Sequence, residues 1–403
     1  MQPEFSVIDS PEQIMPEVME HFQRHDDKFF PPLSTRGGVS GYISSLFSMD
    51  GRLLLCYISG KLVGVMGFGF NHPEWSTYFQ YIAIDQEYQG KGLPQKMVNK
   101  GIEMAVAKGE TRVVARTWST NLVMLRFFSL QGFIHFDTLY NDRGEGVHTL
   151  LFSKVIVAPE WKIPVQRVGV IGGMGTYSTG NFIRTLTGIP RSTKKEQNLL
   201  PFVLVNEPSI PDRTESILND RMPDVISKVN EAIERTNPAG ISHILFLCFT
   251  LHPYMDQLHI RSGIEKINLI SIIGRMMKHN TRKTLLVATK GTYVNRLFYN
   301  FGFVFPQEDH REEIHAIIME IKSGADPAYY KNRIAGYAQA YDCGSLVLGC
   351  TDLHGMFGFS RQYHAITIID PLLELTFLLE AGRQSAAKAA AAEKKGTNVS
   401  VSL

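Results

Sequence analysis

Apolar residues alternate or run continuously in short blocks over much of the chain. FSVI (5–8), RLLLCYI (52–58), LVGVMGFGF (62–70), YFQYIAID (78–85), TRVVARTW (111–118) and HTLLFSK (148–154) read as strands. Ser59-Gly60-Lys61 joins two of them as a hairpin. Residues 11–25 carry Ile14, Val18 and Phe22 at helical spacing behind Ser10, a predicted N-cap, and a Pro- and Gly-containing loop is expected over 30–41. Further helices are predicted after Gly92 and over 121–132.

After 155 the pattern changes. VIVAPEWKIPVQ (155–166) contains two prolines and reads as a linker or joining strand. Beyond it, fully apolar blocks alternate with helical patterns: VGVIGG (168–173), LPFVLVN (200–206), HILFLC (243–248), TLLVAT (284–289), SLVLGC (345–350) and ITIID (366–370). Helices are predicted over 180–188, 223–237, 271–279, 293–301, 310–323, 327–341 and 372–384. Such alternation predicts parallel sheets covered on both faces. Two units recur: VGVIGGMGT resembles LLVATKGTY, and HILFLCFTLH resembles SLVLGCTDLH. This part therefore reads as two similar α/β halves with one cysteine each. Cys248 and Cys350 both end an apolar strand, with Thr within two residues, Leu at the third place and His at the fourth. A helix starting there would lower the thiol pKa and favour thiolate.

Composition changes this picture little. The chain has 403 residues and a formal net charge of +2, which points to neither nucleic acid nor an anionic membrane. MQPEFSVIDSPEQ has no basic stretch ahead of an apolar core, and no window holds 18 consecutive apolar residues, so neither a secretory signal nor a membrane span is expected. Four scattered cysteines do not make a disulfide framework, and a cytoplasmic protein with reduced thiols is expected. Cys56 and Cys343 read as structural. Gly173-Met174-Gly175-Thr176-Tyr177-Ser178 lacks the third glycine of a dinucleotide fingerprint.

Gln89-Gly90-Lys91-Gly92-Leu93-Pro94, followed by Asn121 and LRFFSLQGF (125–133), resembles the GNAT N-acetyltransferase family over about residues 5–155. Glycines there let backbone N–H groups approach a pyrophosphate at a helix N-terminus. The resemblance implies acetyl-CoA held by Gln89, Gly90, Lys91, Gly92, Leu93 and Asn121. Two positions depart from the family: Pro94 removes an N–H from the cradle, and Phe128 replaces a tyrosine that protonates the leaving thiolate. The strand before the loop, Tyr78 to Asp85, offers no glutamate as a base; Asp85 lies at its end.

The second part resembles the aspartate/glutamate racemase family over about 167–381. The resemblance rests on Gly172-Gly173-Met174-Gly175, Ile210-Pro211-Asp212-Arg213-Thr214, Cys248 with Thr250 and His252, Ala288-Thr289-Lys290-Gly291-Thr292, Ile321-Lys322-Ser323-Gly324 and Leu348-Gly349-Cys350-Thr351-Asp352-Leu353. It implies racemisation without metal or pyridoxal phosphate, with Cys248 and Cys350 as the acid/base pair. It further implies substrate contacts from Gly173, Met174, Arg213, Thr250, Thr292, Lys322 and Thr351, and a homodimer formed through this domain. Phe249 stands where the family has asparagine; loss of that amide either loosens carboxylate binding or shifts the substrate towards a less polar side chain.

The expected organisation is an acetyltransferase-like mixed-sheet domain over 1–157, a linker over 158–166, a two-lobed parallel α/β racemase-like domain over 167–381 and a disordered tail over 382–403. The expected function is racemisation of an acidic or related amino acid, with acetyl-CoA-dependent N-acetylation. Two alternatives stay open: another isomerase or decarboxylase on the same fold, and a racemase regulated by a non-catalytic CoA-binding domain.

Overall fold

The computed structural model describes residues 2–35, 37–73, 75–189, 196–359 and 361–383. The expectation for the tail lies outside these residues from 384 onward. Two compact units emerge, one spanning Met1–Ala158 and the other Pro159–Ile189 with the described residues that follow.

In the first unit, β1 (Glu4–Ile8), β2 (Gly51–Ile58), β3 (Lys61–His72), β4 (Ser76–Ile84), β5 (Arg112–Trp118), β6 (Ile134–Leu139) and β7 (Thr149–Val155) form one sheet in the order β1-β2-β3-β4-β5-β7-β6. Neighbours are antiparallel except β4 and β5, which pair in parallel only over Thr77–Phe79 and Val113–Ala115. Beyond that point the two strands are not paired with each other. Alternate residues of β2 serve opposite faces. Leu53 and Leu55 pack with α1 (Pro16–Arg24) and α2 (Gly38–Phe47). Leu54 and Cys56 pack with α3 (Leu93–Ala107) and α4 (Leu122–Leu130). With helices on both faces, β3 is buried almost throughout and shows no polar alternation.

Several local expectations change. The helix expected over 11–25 is split into a 3-10 turn at Pro11–Gln13 and α1, because Pro16 can open a helix but not continue one. Ser10 makes no side-chain cap. The expected loop over 30–41 yields α2 from Gly38 onward. Gly67 of β3 permits this: a Cβ there would lie 2.1 Å from the Tyr42 hydroxyl. Strand β6 was not expected; it is a largely exposed edge strand.

The second unit holds two four-stranded sheets. The first lobe contains β8 (Val168–Gly172), α5 (Thr176–Gly188), β9 (Phe202–Asn206), α6 (Arg213–Leu218), α7 (Met222–Glu234), β10 (His243–Phe246), β11 (Glu265–Ile267) and α8 (Leu269–Met277). Its sheet order is β11-β10-β8-β9, all parallel. The second lobe contains β12 (Thr284–Val287), α9 (Lys290–Val294), α10 (Glu308–Lys322), α11 (Lys331–Ala340), β13 (Ser345–Leu348), β14 (Gln362–Tyr363), β15 (Ile366–Ile369) and a last helix, α12, over 371–383. Its order is β12-β13-β15-β14, with β14 antiparallel to the rest.

The lobes are one design used twice. β10 lies between β8 and β11, as β13 lies between β12 and β15. The position of β9 is reduced in the second lobe to one parallel bridge between Leu285 and Val304. The helix expected over 293–301 is instead α9 and a 3-10 turn at Tyr299–Phe301. No helix among the described residues is long and apolar enough to cross a membrane.

Candidate active site

The two cysteines stand at equivalent strand ends. The residue before each donates its N–H to the neighbouring strand, Leu247 to Ile171 O at 3.0 Å and Gly349 to Val287 O at 2.7 Å. These bonds bring both sulfurs to the same height at the carboxyl edges of their sheets, where parallel α/β folds place ligands. The helix of each lobe then covers the cysteine turn of the other. From α5, Asn181 donates to the His354 carbonyl and Thr185 Oγ1 lies 3.0 Å from His354 Nε2. From α9, Thr292 Oγ1 lies 3.4 Å from Thr250 Oγ1. Thr351 Oγ1 donates across the lobes to the Leu247 carbonyl at 3.3 Å.

Between the lobes is a small cavity lined by Cys248, Phe249, Thr250, Thr289, Gly349, Cys350, Thr351 and Asp352 with Met174, Asp212, Arg213, Thr214 and Lys322. Arg213 is buried. Its guanidinium donates to the carbonyls of Met174, Pro211 (3.0 Å) and Ile210 (3.4 Å), and its Nε has no hydrogen-bond partner among the described residues. Lys322, at the end of α10, reaches Asp212 Oδ2 at 3.3 Å. Asp212 Oδ1 caps α6 by accepting from Thr214 N and Glu215 N.

The expected lowering of the second thiol's pKa is not found. Burial pushes the Cys350 thiol well above its ordinary value, and the Asp352 charge adds to this against the pull of Lys322. The Sγ–H faces Asp352 Oδ2 at 3.7 Å. The turn that follows is a three-residue 3-10 segment, Thr351–Leu353, too short for much of a helix dipole. After Cys248 the expected helix is also 3-10, Phe249–Gln257, with Pro253 inside it. Burial raises the Asp352 carboxyl too, although Lys322 and Arg213 pull it down. Gly175 makes room for that carboxylate, since a Cβ there would lie 2.3 Å from Asp352 Oδ1.

His252 and His354 hold the turns that follow the two cysteines. His252 Nδ1 lies 2.9 Å from the Cys248 carbonyl, and Nε2 accepts from Leu269 N–H at 3.1 Å, so the proton is on Nδ1. Burial lowers its pKa from 6.5 to about 4. The unfolded chain therefore takes up a proton that the folded chain refuses as pH falls from 6.5 towards 4. Stability of the second unit is expected to fall by about 2 kcal/mol from about pH 7.5 to about pH 5 through this group. Denaturant titrations at the two pH values check this, and His252→Gln should remove that share. His354 Nδ1 is held by Asp370, which also accepts from Gly355, Leu372 and Leu373 N–H groups at the start of α12.

In the first unit the loop of Gln89 to Gly92 follows β4. Gly90 and Gly92 have φ of 73° and 72°, values that favour glycine. Gly92 is the N-cap of α3, Leu93 its first residue and Pro94 its second. Gln89 Nε2 donates to the Ile84 carbonyl at 3.2 Å, and Lys91 Nζ lies 4.7 Å over the Tyr88 ring. Asn121 Oδ1 caps α4 by accepting from Met124 N at 3.2 Å. Phe128 is buried against Phe127, Phe133 and Phe152. Asp85 is engaged by Arg24 and His25. Burial raises its carboxyl, but His25, Arg24 and His21 outweigh that and hold it below its ordinary value, which does not suit a base.

Residues 171–376 match the Asp/Glu/Hydantoin racemase family. The chain belongs to this family. Residues 15–133 match the acetyltransferase (GNAT) family, so the racemase unit is preceded by a GNAT unit. Among solved structures, the aspartate racemase of Picrophilus torridus is 24% identical, aligns over 55% of this chain and 94% of its own, and has a TM-score of 0.46. An aspartate racemase homologue from Pyrococcus horikoshii is 18% identical over 56% and 99%, at 0.41. A protein of the GNAT family from Desulfovibrio desulfuricans is 12% identical over 38% and 99%, at 0.33.

Of the racemase-unit residues expected at the site, Met174, Arg213, Thr250, Lys322 and Thr351 line the cavity with both cysteines. Gly173 and Thr292 do not line it. Gly173 is needed behind it: at φ +84, its missing Cβ would lie 2.3 Å from the Glu207 backbone. Thr292 acts through Thr250 and Thr289. Asp212, Thr214, Thr289 and Asp352 also line the cavity and are not among the expected site residues. Asp352 carried a usable signal, an acidic residue two places after a cysteine at a strand end.

Proposed function

We propose that the racemase unit inverts the Cα centre of a small amino acid with Cys248 and Cys350 as the two acid/base groups, and that the GNAT unit transfers acetyl from acetyl-CoA to an amino group. The observation that carries the first part is the pair of thiols at equivalent strand ends on one cavity with Arg213 and Lys322. Racemisation needs one thiolate and one thiol. Burial and Asp352 keep Cys350 as the thiol, and we assign the first proton abstraction to Cys248. Its sulfur takes the Cα proton, and the C–H electron pair is left on Cα and its carboxylate. Cys350 then gives its proton to the opposite face and becomes the thiolate, so the reverse reaction starts from the product state. Arg213 and Lys322 supply positive charge for the carboxylate.

Phe249, buried against Phe298 with ring centroids 5.9 Å apart, gives the cavity an apolar wall where an amide donor would serve a side-chain carboxylate. The substrate side chain we assign is therefore less polar than aspartate. Phe249→Asn should shift the ratio of kcat/KM values towards aspartate by ~10-fold, the scale of one added hydrogen bond to a charged group.

Support for acetyl-CoA is the loop of Gln89 to Gly92 at the start of α3 and the ends of β4 and β5, which do not pair with each other and whose facing backbone groups can bind an extended chain. Phe128 gives the leaving thiolate no proton, which favours a second reading in which the GNAT unit binds acetyl-CoA and regulates the racemase. The deciding experiment incubates purified protein with single enantiomers in deuterated water, with and without acetyl-CoA. Cα deuteration with inversion supports the racemase, and an N-acetyl product supports transfer. Racemisation altered by unconsumed acetyl-CoA supports regulation. No exchange with any amino acid tested overturns the racemase proposal.

A further inference from the structure

A second cluster, confined to the first unit, has no part in the chemistry above. Helix α1 carries His21, and His25 follows one residue past its end, so the two are four apart and face the same way. Asp85 comes immediately after β4 and is pinned by its own N–H to the Val63 carbonyl at 2.8 Å. His25 Nε2 lies 3.0 Å and His21 Nε2 3.7 Å from the same oxygen, Asp85 Oδ1. One donor atom from each of the three residues lies within 4.8 Å of the other two, and all three residues are buried.

His21 is the telling member. It has no solvent exposure, and neither ring nitrogen makes a hydrogen bond among the described residues. The Val63 carbonyl, which accepts from Asp85 N–H, lies near the ring but outside hydrogen-bond geometry for either nitrogen. Buried polar groups rarely go without a partner, because each costs about 1–3 kcal/mol. An ion bonded to His21 removes that cost. The geometry agrees: two ligand atoms about 2.0–2.1 Å from a tetrahedral centre are roughly 3.3 Å apart. The observed 3.0 and 3.7 Å bracket that spacing.

We propose that His21, His25 and Asp85 form a binding site for a divalent transition metal of the zinc class. Two imidazoles and one carboxylate leave a fourth position for water. Arg24 is the competitor. Its guanidinium lies 3.3 Å from Asp85 Oδ1, and its half-exposed side chain can move into solvent when a cation takes the carboxylate. The ion would tie α1 to the strand end from which the Gln89–Gly92 loop departs.

The test uses the full chain carrying Cys248→Ser and Cys350→Ser, so that the cavity thiols cannot bind the probe. After treatment with chelator, zinc(II) alone is titrated and cobalt(II) is used as a spectroscopic stand-in. The expected result is a single ion per chain with the intense visible bands of tetrahedral cobalt. His21→Ala and Asp85→Asn should each weaken zinc binding by about 100-fold, whereas Arg24→Ala should strengthen it. His25→Gln keeps the side-chain size and should also weaken binding, which covers the case in which His21→Ala does not fold. The proposal is overturned if the parent binds no zinc below millimolar concentration, or if folded His21 and His25 variants bind as the parent does.

Discussion

Cys248→Ser and Cys350→Ser should each lower the racemisation rate by ~10³-fold, the usual scale for loss of a general acid or base. The two variants should differ in what remains. Each thiol serves one face of the cavity, so each removes the proton of only one enantiomer. With Cys350 replaced, Cys248 still removes a proton from its own enantiomer and returns solvent deuterium to the same face. Exchange then continues without inversion for that enantiomer and stops for the other. With Cys248 replaced, the preference reverses. Nuclear magnetic resonance of each pure enantiomer in deuterated water reads this directly. Equal exchange of both enantiomers by both variants would remove the two-thiol mechanism. Asp352→Asn adds a check on the asymmetry. The carboxylate raises Cys350, so its removal should let Cys350 ionise at lower pH, seen as thiolate absorbance in the Cys248→Ser background.

Arg213→Met is expected to reduce kcat/KM by about 10²-fold, chiefly through KM for the carboxylate substrate. The reason is how the guanidinium is held. Its Nη atoms are spent on the carbonyls of Met174, Pro211 and Ile210, which fix its plane but do not neutralise its charge. Lys322, by contrast, is paired with Asp212. Arg213 thus brings a positive charge, without an ion-pair partner among the described residues, into a small buried cavity, where a carboxylate gains most from it. Arg213→Lys keeps the charge but cannot bond all three carbonyls from one planar group, so most of the loss should persist. Steady-state kinetics with melting temperatures separates the two roles: a purely structural arginine would lower stability without raising KM.

The strand ends that carry the cysteines were legible because fully buried parallel strands leave unbroken apolar runs, and HILF and SLVL are such runs. The repeat of the halves was legible for the same reason. Helix α2 was not, since GVSGYISSLF has weak helical character and is held by packing of Ile43 and Leu46 against the sheet. The same holds for the 3-10 turns after both cysteines. Their immediate neighbours permit a helix, but His252 bonds to the Cys248 carbonyl and to Leu269 N–H and fixes another path.

By itself the sequence determined the two units, the order of most strands and helices, the glycine loop at 89–92 and the two thiols, because each of these is encoded by neighbours a few residues apart. Tertiary structure decided the rest. The protonated state of Cys350 depends on burial, which outweighs the pull of Lys322 from elsewhere in the chain. The distinction between Thr250, on the cavity wall, and Thr292, behind it, depends on how α9 covers the turn of the opposite lobe. The spacing of His21 and His25 is visible along the chain, but the carboxylate that joins them comes from Asp85, sixty residues on. Desolvation and long-range charge act through space, so they appear only when the chain has folded.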